Sequence, residues 1–246
     1  MNKVAIVTGA GTGVGKATAV KLSDAGFTVV LIGRRKEKLE QTKIACNDQA
    51  LVVPMDVSNE TDVKKCFKMI KKDFSRIDLL FNNAGTFLSS KTIDEINFNE
   101  WKKVIEVNLN GMFLFSKYAF FLMKNQSPKG GRIINNGSVS AHAPRPGSIA
   151  YTATKHAVTG ITKSLALDGR PFSIVCSQLD IGNADTPMTE GIKKGIIQAD
   201  GSIKTEPTFN TEHVADAVLH LVKLPLDTNI LNMTIMASNM PFIGRG

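Results

Sequence analysis

Short apolar runs alternate with amphipathic stretches along nearly the whole chain. The runs are rich in Val, Ile and Leu, which is typical of strands in a parallel sheet that is covered on both faces. They predict strands at 3–8, 27–32, 50–55, 77–81, 132–136, 173–179 and 232–237.

The stretches between these runs repeat apolar residues at helical spacing. They predict helices at 14–25, 36–45, 62–74, 100–124, 151–167 and 211–224. Strands that alternate with helices predict an α/β protein, and we expect one domain over 1–246 with a parallel sheet of about seven strands. The apolar faces of 100–124 are too broad for a surface helix, so part of it lies either at a subunit interface or in the protein's own core.

A glycine-rich turn joins the first strand to the first helix, with Gly9, Gly11, Gly13 and Gly15 following Thr8. Glycine allows a tight turn and close approach of a ligand, and the helix that follows directs free N–H groups at it. This arrangement suits a pyrophosphate. The spacing differs from the strict dinucleotide fingerprint, and a tight turn without a ligand is the alternative.

Ligands of such sheets bind at the carboxyl ends of the strands. After the sixth predicted strand, residues 183–210 form a long stretch with three glycines and two prolines, which we expect to be a lid or substrate-binding loop.

Three residues combine into a proton-transfer group. Tyr151 and Lys155 share one helix face, and Ser138 follows the fifth predicted strand. A tyrosine hydroxyl is a weak acid with an ordinary pKa of about 10, and a lysine ammonium one turn away stabilises its ionised form. Such groups can exchange a proton with a carbonyl or an alcohol, whereas the hydride must come from a bound nicotinamide. A Tyr/Lys pair that only decorates a helix is the alternative.

Together these stretches resemble the short-chain dehydrogenase/reductase family over the whole length of the chain. The matching residues are Thr8 to Gly15, Asp56-Val57, Asn82 to Gly85, Asn108, Ser138, and Tyr151 to Lys155. The resemblance implies a Rossmann-like doubly wound sheet, and a homodimer or homotetramer.

The resemblance also implies roles for the catalytic positions. Tyr151 would be the general acid/base, Lys155 would hold the nicotinamide ribose, and Ser138 would orient the substrate carbonyl. Asn108 would hold a water that links Lys155 to solvent.

For the cofactor, Gly9, Gly13 and Gly15 would line the pyrophosphate turn, Asp56 would meet the adenine, and Asn82 would meet the adenosine ribose. The expected cofactor-binding residues are Gly9, Gly11, Thr12, Gly13, Val14, Gly15, Gly33, Arg34, Arg35, Asp56, Val57, Asn82, Ala84, Gly85, Tyr151, Lys155, Gly182 and Thr186.

The chain departs from the family pattern after the sixth predicted strand. Ile181-Gly182 stands where the family often has Pro-Gly, which loosens the backbone at 181, while Thr186 keeps a position suited to the carboxamide. The tail over 229–236 is similar to a branch that acts on small 3-hydroxy acids such as serine.

The residues at the end of the second predicted strand indicate which cofactor binds. NAD-binding folds place an acidic residue there for the ribose 2′-OH, but this chain has Gly33-Arg34-Arg35. Glycine leaves room for a bulky group, and the Arg34 guanidinium suits a 2′-phosphate. We therefore expect NADP, with NAD less favoured; the alternative is that both arginines belong to a solvated charge cluster.

The substrate loop after Ser138 carries His142 and Arg145. With Tyr151 and Ser138, these are the expected substrate-binding residues, and Arg145 can pair with a substrate carboxylate. A solvated loop charge is the alternative for Arg145.

Composition narrows the class of protein. The net charge is +8, but the lysines are scattered without interleaved aromatic residues, so a solvated surface is favoured over nucleic-acid binding. Three widely spaced cysteines and four histidines form no metal or disulfide pattern, and no signal peptide or membrane span is evident. We expect a cytoplasmic, NADP-dependent oxidoreductase that interconverts a carbonyl and a secondary alcohol of a small-molecule substrate. The rival functions are an NADP(H)-binding sensor without turnover and a basic nucleic-acid-binding protein.

Overall fold

The computed structural model describes residues 3–47, 49–88 and 90–243. Its main sheet has seven parallel strands in the order β3-β2-β1-β4-β5-β6-β9. The strands in chain order, with the two short strands β7 and β8 of a separate hairpin, are β1 Val4–Thr8, β2 Thr28–Gly33, β3 Ala50–Pro54, β4 Leu79–Asn82, β5 Gly131–Asn136, β6 Ile174–Ile181, β7 Ile196–Ile197, β8 Ile203–Lys204 and β9 Asn232–Ile235. The strand order reverses between β1 and β4, which is where ligands of doubly wound sheets bind.

Helices cover both faces of this sheet. They are α1 Gly13–Asp24, α2 Lys36–Ala45, α3 Glu60–Phe74, α4 Phe98–Ile105, α5 Gly111–Asn125, α6 Ile149–Asp168, α7 Glu190–Lys194 and α8 Thr211–Lys223. Side chains alternate across each strand, so Val7 packs into a core with Leu22 and Val218, while its neighbour Ile6 packs into another with Phe115. The predicted α/β fold, a Rossmann-like seven-stranded parallel sheet in a single domain, is confirmed.

The predicted helix over 100–124 is interrupted by a π-helical turn. α4 passes into a π turn at Glu106–Asn110, and α5 follows directly. Val104, Leu114 and Phe115 are buried in the protein's own core, whereas Phe121 is exposed. The π turn contains Asn108, and such turns occur frequently at functional sites.

The segment 183–210 is partly ordered into secondary structure, although the sequence predicts only a loop. It contains α7 and the antiparallel pair β7–β8, and a bridge between Ala184 and Phe209 ties its two ends together. We call residues 183–210 the lid segment.

No helix in the described part of the chain is long and apolar enough to cross a membrane. The same residues contain no group of three or more His, Cys, Asp or Glu side chains that could hold a metal ion.

Candidate active site

Three adjoining cavities form one groove along the carboxyl ends of the strands. The β2-side cavity, about 200 Å³, is lined by Gly9, Arg34 and Asp56 among others. The central cavity, about 170 Å³, shares Thr12 with it. The lid-side cavity, about 310 Å³, shares Tyr151 with the central one. Met188 of the lid segment lines all three, so the lid segment borders the whole groove.

The glycine turn has little space for side chains. Gly13 has φ +52°, and a Cβ there would lie 2.9 Å from Cγ2 of Thr186 across the central cavity. A Cβ on Gly15 would collide with the carbonyl oxygen of Gly9, so Gly15 serves the close packing of α1 on the turn. Since α1 begins at Gly13, its free N–H groups face this cradle, which fits a dinucleotide pyrophosphate.

The turn is braced by the segment that follows β4. The hydroxyl oxygen of Thr8 accepts hydrogen bonds of 2.9 Å from the backbone N–H groups of Asn83 and Ala84. The Asn83 side chain donates to the Thr8 carbonyl at 3.0 Å. These bonds join the ends of β1 and β4 at the point where the strand order reverses.

Arg34 and Arg35 line the β2-side cavity and are exposed. Within the described residues, no hydrogen bond or ion pair engages the Arg34 guanidinium. Asp56 lies in the same cavity and accepts hydrogen bonds from the backbone and hydroxyl of Ser58 at 2.9 and 2.7 Å. Burial raises the pKa of the Asp56 carboxyl, but these two bonds and the nearby Arg34 charge outweigh it, so the net pKa is lowered.

Tyr151 and Lys155 meet in the central cavity, on one face of α6. The Lys155 ammonium is buried, donates to the Asn136 carbonyl at 2.7 Å, and lies 5.4 Å from the centre of the Tyr151 ring. The bond to Asn136 fixes the ammonium at the end of β5. α6 and β5 therefore hold the pair between them.

Ser138 lines the lid-side cavity together with Tyr151. Its backbone N–H donates to Oδ1 of Asp180 at 2.9 Å, and Asp180 is fully buried in β6. Asp180 also accepts from Gln178 and Asn232 at 2.7 and 2.9 Å. A carboxylate that accepts several hydrogen bonds is well satisfied in the core, so it holds the Ser138 backbone firmly.

Asn108 is buried, and the structure commits its side chain to protein partners. Its Oδ1 accepts from the Thr86 backbone N–H at 2.7 Å, and its Nδ2 donates to the Thr86 carbonyl at 2.8 Å and to the Thr154 hydroxyl at 3.2 Å. Asn108 thus ties the π turn to the segment after β4 and to the residue before Lys155.

Three of the expected site residues, Asn82, Gly33 and His142, do not line the groove. The side chain of Asn82 is buried beneath the groove, where it donates to Ser116 and Asn135 at 3.0 and 2.9 Å, because alternation along β4 turns it inward. Gly33 does not line the groove in the described chain, and a Cβ there would contact Leu39 at 3.3 Å. His142, expected to contact the substrate, instead places Nε2 2.7 Å from Oδ2 of Asp180.

Arg145 lines the lid-side cavity, but its charge is already paired. Its two terminal nitrogens donate to the two carboxylate oxygens of Glu206, and the side chains are only 12% and 1% exposed. The guanidinium is therefore neither free for a substrate carboxylate nor a solvated loop charge, the two interpretations that the sequence suggested.

With the exceptions of Gly15 and Asn108, the other expected residues line the groove. In the β2-side cavity these are Gly9, Gly11, Thr12, Arg34, Arg35, Asp56, Val57, Ala84 and Gly85. In the central cavity they are Gly13, Val14, Gly182 and Thr186, with Tyr151 and Lys155.

Sequence reasoning missed Asn83, Asp180 and Glu206. Asn83 stands in the same motif as Asn82, and a strict two-residue alternation from the strand would have turned it toward the groove. Asp180 is an acid inside an apolar strand, which is a signal for a buried, partnered group. Nothing local distinguishes Glu206 from other acids of the lid segment.

Comparison with known proteins agrees with this geometry. The short chain dehydrogenase family profile matches residues 3–196. An uncharacterized oxidoreductase of Staphylococcus epidermidis is 35% identical over 234 residues, covering 95% of this chain and 96% of that protein. A 3beta-hydroxysteroid dehydrogenase of Mediterraneibacter gnavus is 37% identical over 191 residues, covering 76% of this chain and 68% of that protein.

The crystal structure of a 3-ketoacyl-(acyl-carrier-protein) reductase from Brucella melitensis, complexed with NADH, has a TM-score of 0.86 and 26% identity, covering 96% of this chain and 97% of that one. The fold and groove are those of a nicotinamide-dependent oxidoreductase that acts on CH–OH groups or the corresponding carbonyls. The chain belongs to the short-chain dehydrogenase/reductase family.

Proposed function

We propose that this enzyme interconverts a carbonyl and a secondary alcohol with NADP(H) as its preferred cofactor and Tyr151 as the general acid/base. The observation that carries the cofactor preference is the position of Arg34. It lines the β2-side cavity with an unpaired guanidinium, at a strand end whose sequence, Gly33-Arg34-Arg35, contains no carboxylate. A 2′-phosphate placed there gains charge-assisted hydrogen bonds.

The groove fits the dinucleotide along its length. Gly9, Thr12 and Gly13 would hold the pyrophosphate at the start of α1, and Asp56 with Val57 would hold the adenine. Lys155 and Thr186 would hold the nicotinamide end in the central cavity. The nicotinamide supplies hydride exchange with the substrate carbon, which no side chain can provide.

The protein's own residues move and hold the proton. The Tyr151 hydroxyl gives a proton to the substrate oxygen during reduction and takes it back during oxidation. The Lys155 ammonium, fixed by the Asn136 carbonyl, stabilises the tyrosinate that remains. Ser138, whose backbone is held by Asp180, orients the same substrate oxygen with its hydroxyl.

The experiment is an assay of the purified protein with a panel of carbonyls, including a 3-ketosteroid, a 3-ketoacyl thioester, a small diketone and a 3-keto acid. Oxidation of the reduced cofactor is followed with NADPH and with NADH. We expect kcat/KM to be at least about tenfold higher with NADPH, which needs only ~1.4 kcal/mol. Tight NADPH binding without turnover of any carbonyl would contradict the proposal and favour a sensor.

A homo-oligomer is part of the same proposal. Phe113 and Phe121 on α5 are 54% and 62% exposed, and large exposed aromatic side chains on one helix favour burial against a second copy. A sedimentation measurement that gives only monomer at micromolar concentration would contradict it.

A further inference from the structure

The lid-side cavity is largely apolar. Its walls include Phe87, Leu88, Ile96, Val139, Ile192 and Ile196. Tyr151 and Ser138 open into the same cavity, so a substrate whose oxygen meets the Tyr151 hydroxyl extends along these apolar side chains. Arg145 is the one charged side chain among the described residues that line the cavity.

The Arg145 charge is cancelled by a network that the lid segment supplies. The Glu206 carboxylate accepts hydrogen bonds from both terminal nitrogens of the guanidinium. It also accepts hydrogen bonds from the side chains of Asn183 at 2.8 Å and Gln198 at 3.0 Å. Asn183 in turn accepts from Arg145 at 3.2 Å. Burial raises the pKa of the Glu206 carboxyl, but the hydrogen bonds from Arg145, Asn183 and Gln198 outweigh it and lower that pKa to about 2. Glu206 is therefore ionised at neutral pH and the pair is neutral overall.

This neutrality has a consequence for binding. A substrate carboxylate that enters the cavity loses its hydration and finds no free cation, because the fork of Arg145 is already filled by a carboxylate of the protein itself. An uncharged chain loses no such hydration and gains contact with the apolar walls.

We propose that Glu206 is a specificity-determining residue, which neutralises Arg145 and thereby makes the cavity select uncharged, apolar ketones and secondary alcohols over carboxylates. The proposal rests on the proposed function in one respect, that the substrate oxygen meets Tyr151. It disfavours the small 3-hydroxy acids that the tail of the sequence suggested as substrates.

The test uses the full chain saturated with NADPH and a matched pair of substrates, 2-octanone and 7-oxooctanoate, which differ by a terminal carboxylate. In the wild type we expect kcat/KM for the ketone to exceed that for the keto acid by at least about 30-fold, as one unpaired, desolvated charge implies. Glu206→Gln leaves the Arg145 charge free, so the ratio should narrow by at least about tenfold.

Two further variants separate charge from loss of lid contacts. Arg145→Met combined with Glu206→Leu removes both charges, so the cavity stays neutral although the network is gone, and the wild-type ratio should remain. A ratio that narrows equally in this double variant would assign the effect to the lid segment and overturn the proposal. Asp185→Asn is the matched control, because it breaks an exposed ion pair of the same segment, with Lys193 at 2.7 Å, and should leave the ratio unchanged.

Binding keeps the proposal testable if turnover is absent. If no carbonyl is reduced, the proposed function fails, and the two ligands are then compared by the rise in Tm of the NADPH-saturated protein. The proposal requires that 2-octanone raises Tm and that 7-oxooctanoate does so only in Glu206→Gln. Equal effects of both ligands on the wild type, stronger stabilisation by the acid, or no stabilisation by either would overturn it.

Discussion

Arg34 and Arg145 line opposite ends of one groove, and their surroundings differ. Arg34 is exposed at the end of β2, and no residue that the structure describes neutralises it by an ion pair. Arg145 is nearly buried and makes a two-pronged ion pair with Glu206. Both guanidinium groups are suited to an anion, but only the first one is still available to a ligand.

The difference shows what makes an arginine a ligand-binding residue. The two side chains carry the same charge, so their roles depend on whether the fold brings an acid into direct ion-pair contact with them. At the β2 end no described acid forms an ion pair with the cation, and our proposal assigns this arginine to the cofactor phosphate. At the lid end the acid comes from the protein, and the cation becomes part of the wall. Tyr151 and Lys155, to which we assign the proton transfer, lie between the two ends.

The largest loss of activity is expected from a substitution at Tyr151, between the two ends of the groove. Tyr151→Phe keeps the ring beside Lys155 and removes the proton, so turnover should fall between about 100-fold and 10⁴-fold. NADPH affinity should change little, because the ring still packs in the central cavity. Steady-state kinetics and NADPH fluorescence titration measure the two quantities. Near-normal turnover in this variant would refute the assigned mechanism.

At the lid end, acid should reduce the stability of the folded protein by protonating Glu206. Its pKa is lowered from 4.5 to about 2 in the folded protein, so its contribution to the free energy of unfolding is complete above about pH 4.5 and is lost as pH falls toward 2. The loss is on the order of 3 kcal/mol at most.

Urea unfolding of the wild type and of Glu206→Gln between pH 6 and pH 3 measures this. The stability difference between the two proteins should shrink over that range, since the variant has nothing to titrate at this position. A difference that stays constant with pH would mean that the Arg145–Glu206 pair does not stabilise the folded protein.

At the other end of the groove, Arg34→Ala tests whether the unpaired arginine sets the cofactor preference. It should weaken NADP(H) binding by about tenfold or more and leave NAD(H) almost unchanged, since only NADP carries the 2′-phosphate. Lys36→Ala, which removes a neighbouring exposed charge, is the control for a general charge effect and should not alter the NADPH/NADH ratio of kcat/KM. A similar loss in both variants would assign the preference to the charge cluster.

The smallest effect is expected at the exposed ion pair of the lid segment. The side chains of Lys193 and Asp185 are 46% and 49% exposed, so solvent already screens their attraction. Asp185→Asn should change the free energy of unfolding by less than ~1 kcal/mol, measured by urea unfolding at pH 7. A larger loss than in Glu206→Gln would reverse the ranking of buried over exposed pairs.

The sequence alone determined the sheet, the glycine turn and the pairing of Tyr151 with Lys155. Each of these depends on residues close together in the chain. Apolar runs specify strands, glycines permit the turn before α1, and a separation of four residues puts two side chains on one helix face. The sequence also placed Arg34 at the carboxyl end of β2, where the structure has it in the groove.

Only the tertiary structure decided which polar side chains are already paired with other protein groups and which way they face. Glu206 pairs with Arg145, which lies 61 residues away in the sequence, and Asp180 pairs with His142, which lies 38 residues away. Neither pairing can therefore be predicted from a nearby sequence pattern. The choice between Asn82 and Asn83 depends on which face of β4 lies under the groove. Such outcomes depend on the packing of distant elements, because a charge or an amide that leaves water must find its partner wherever the fold provides one.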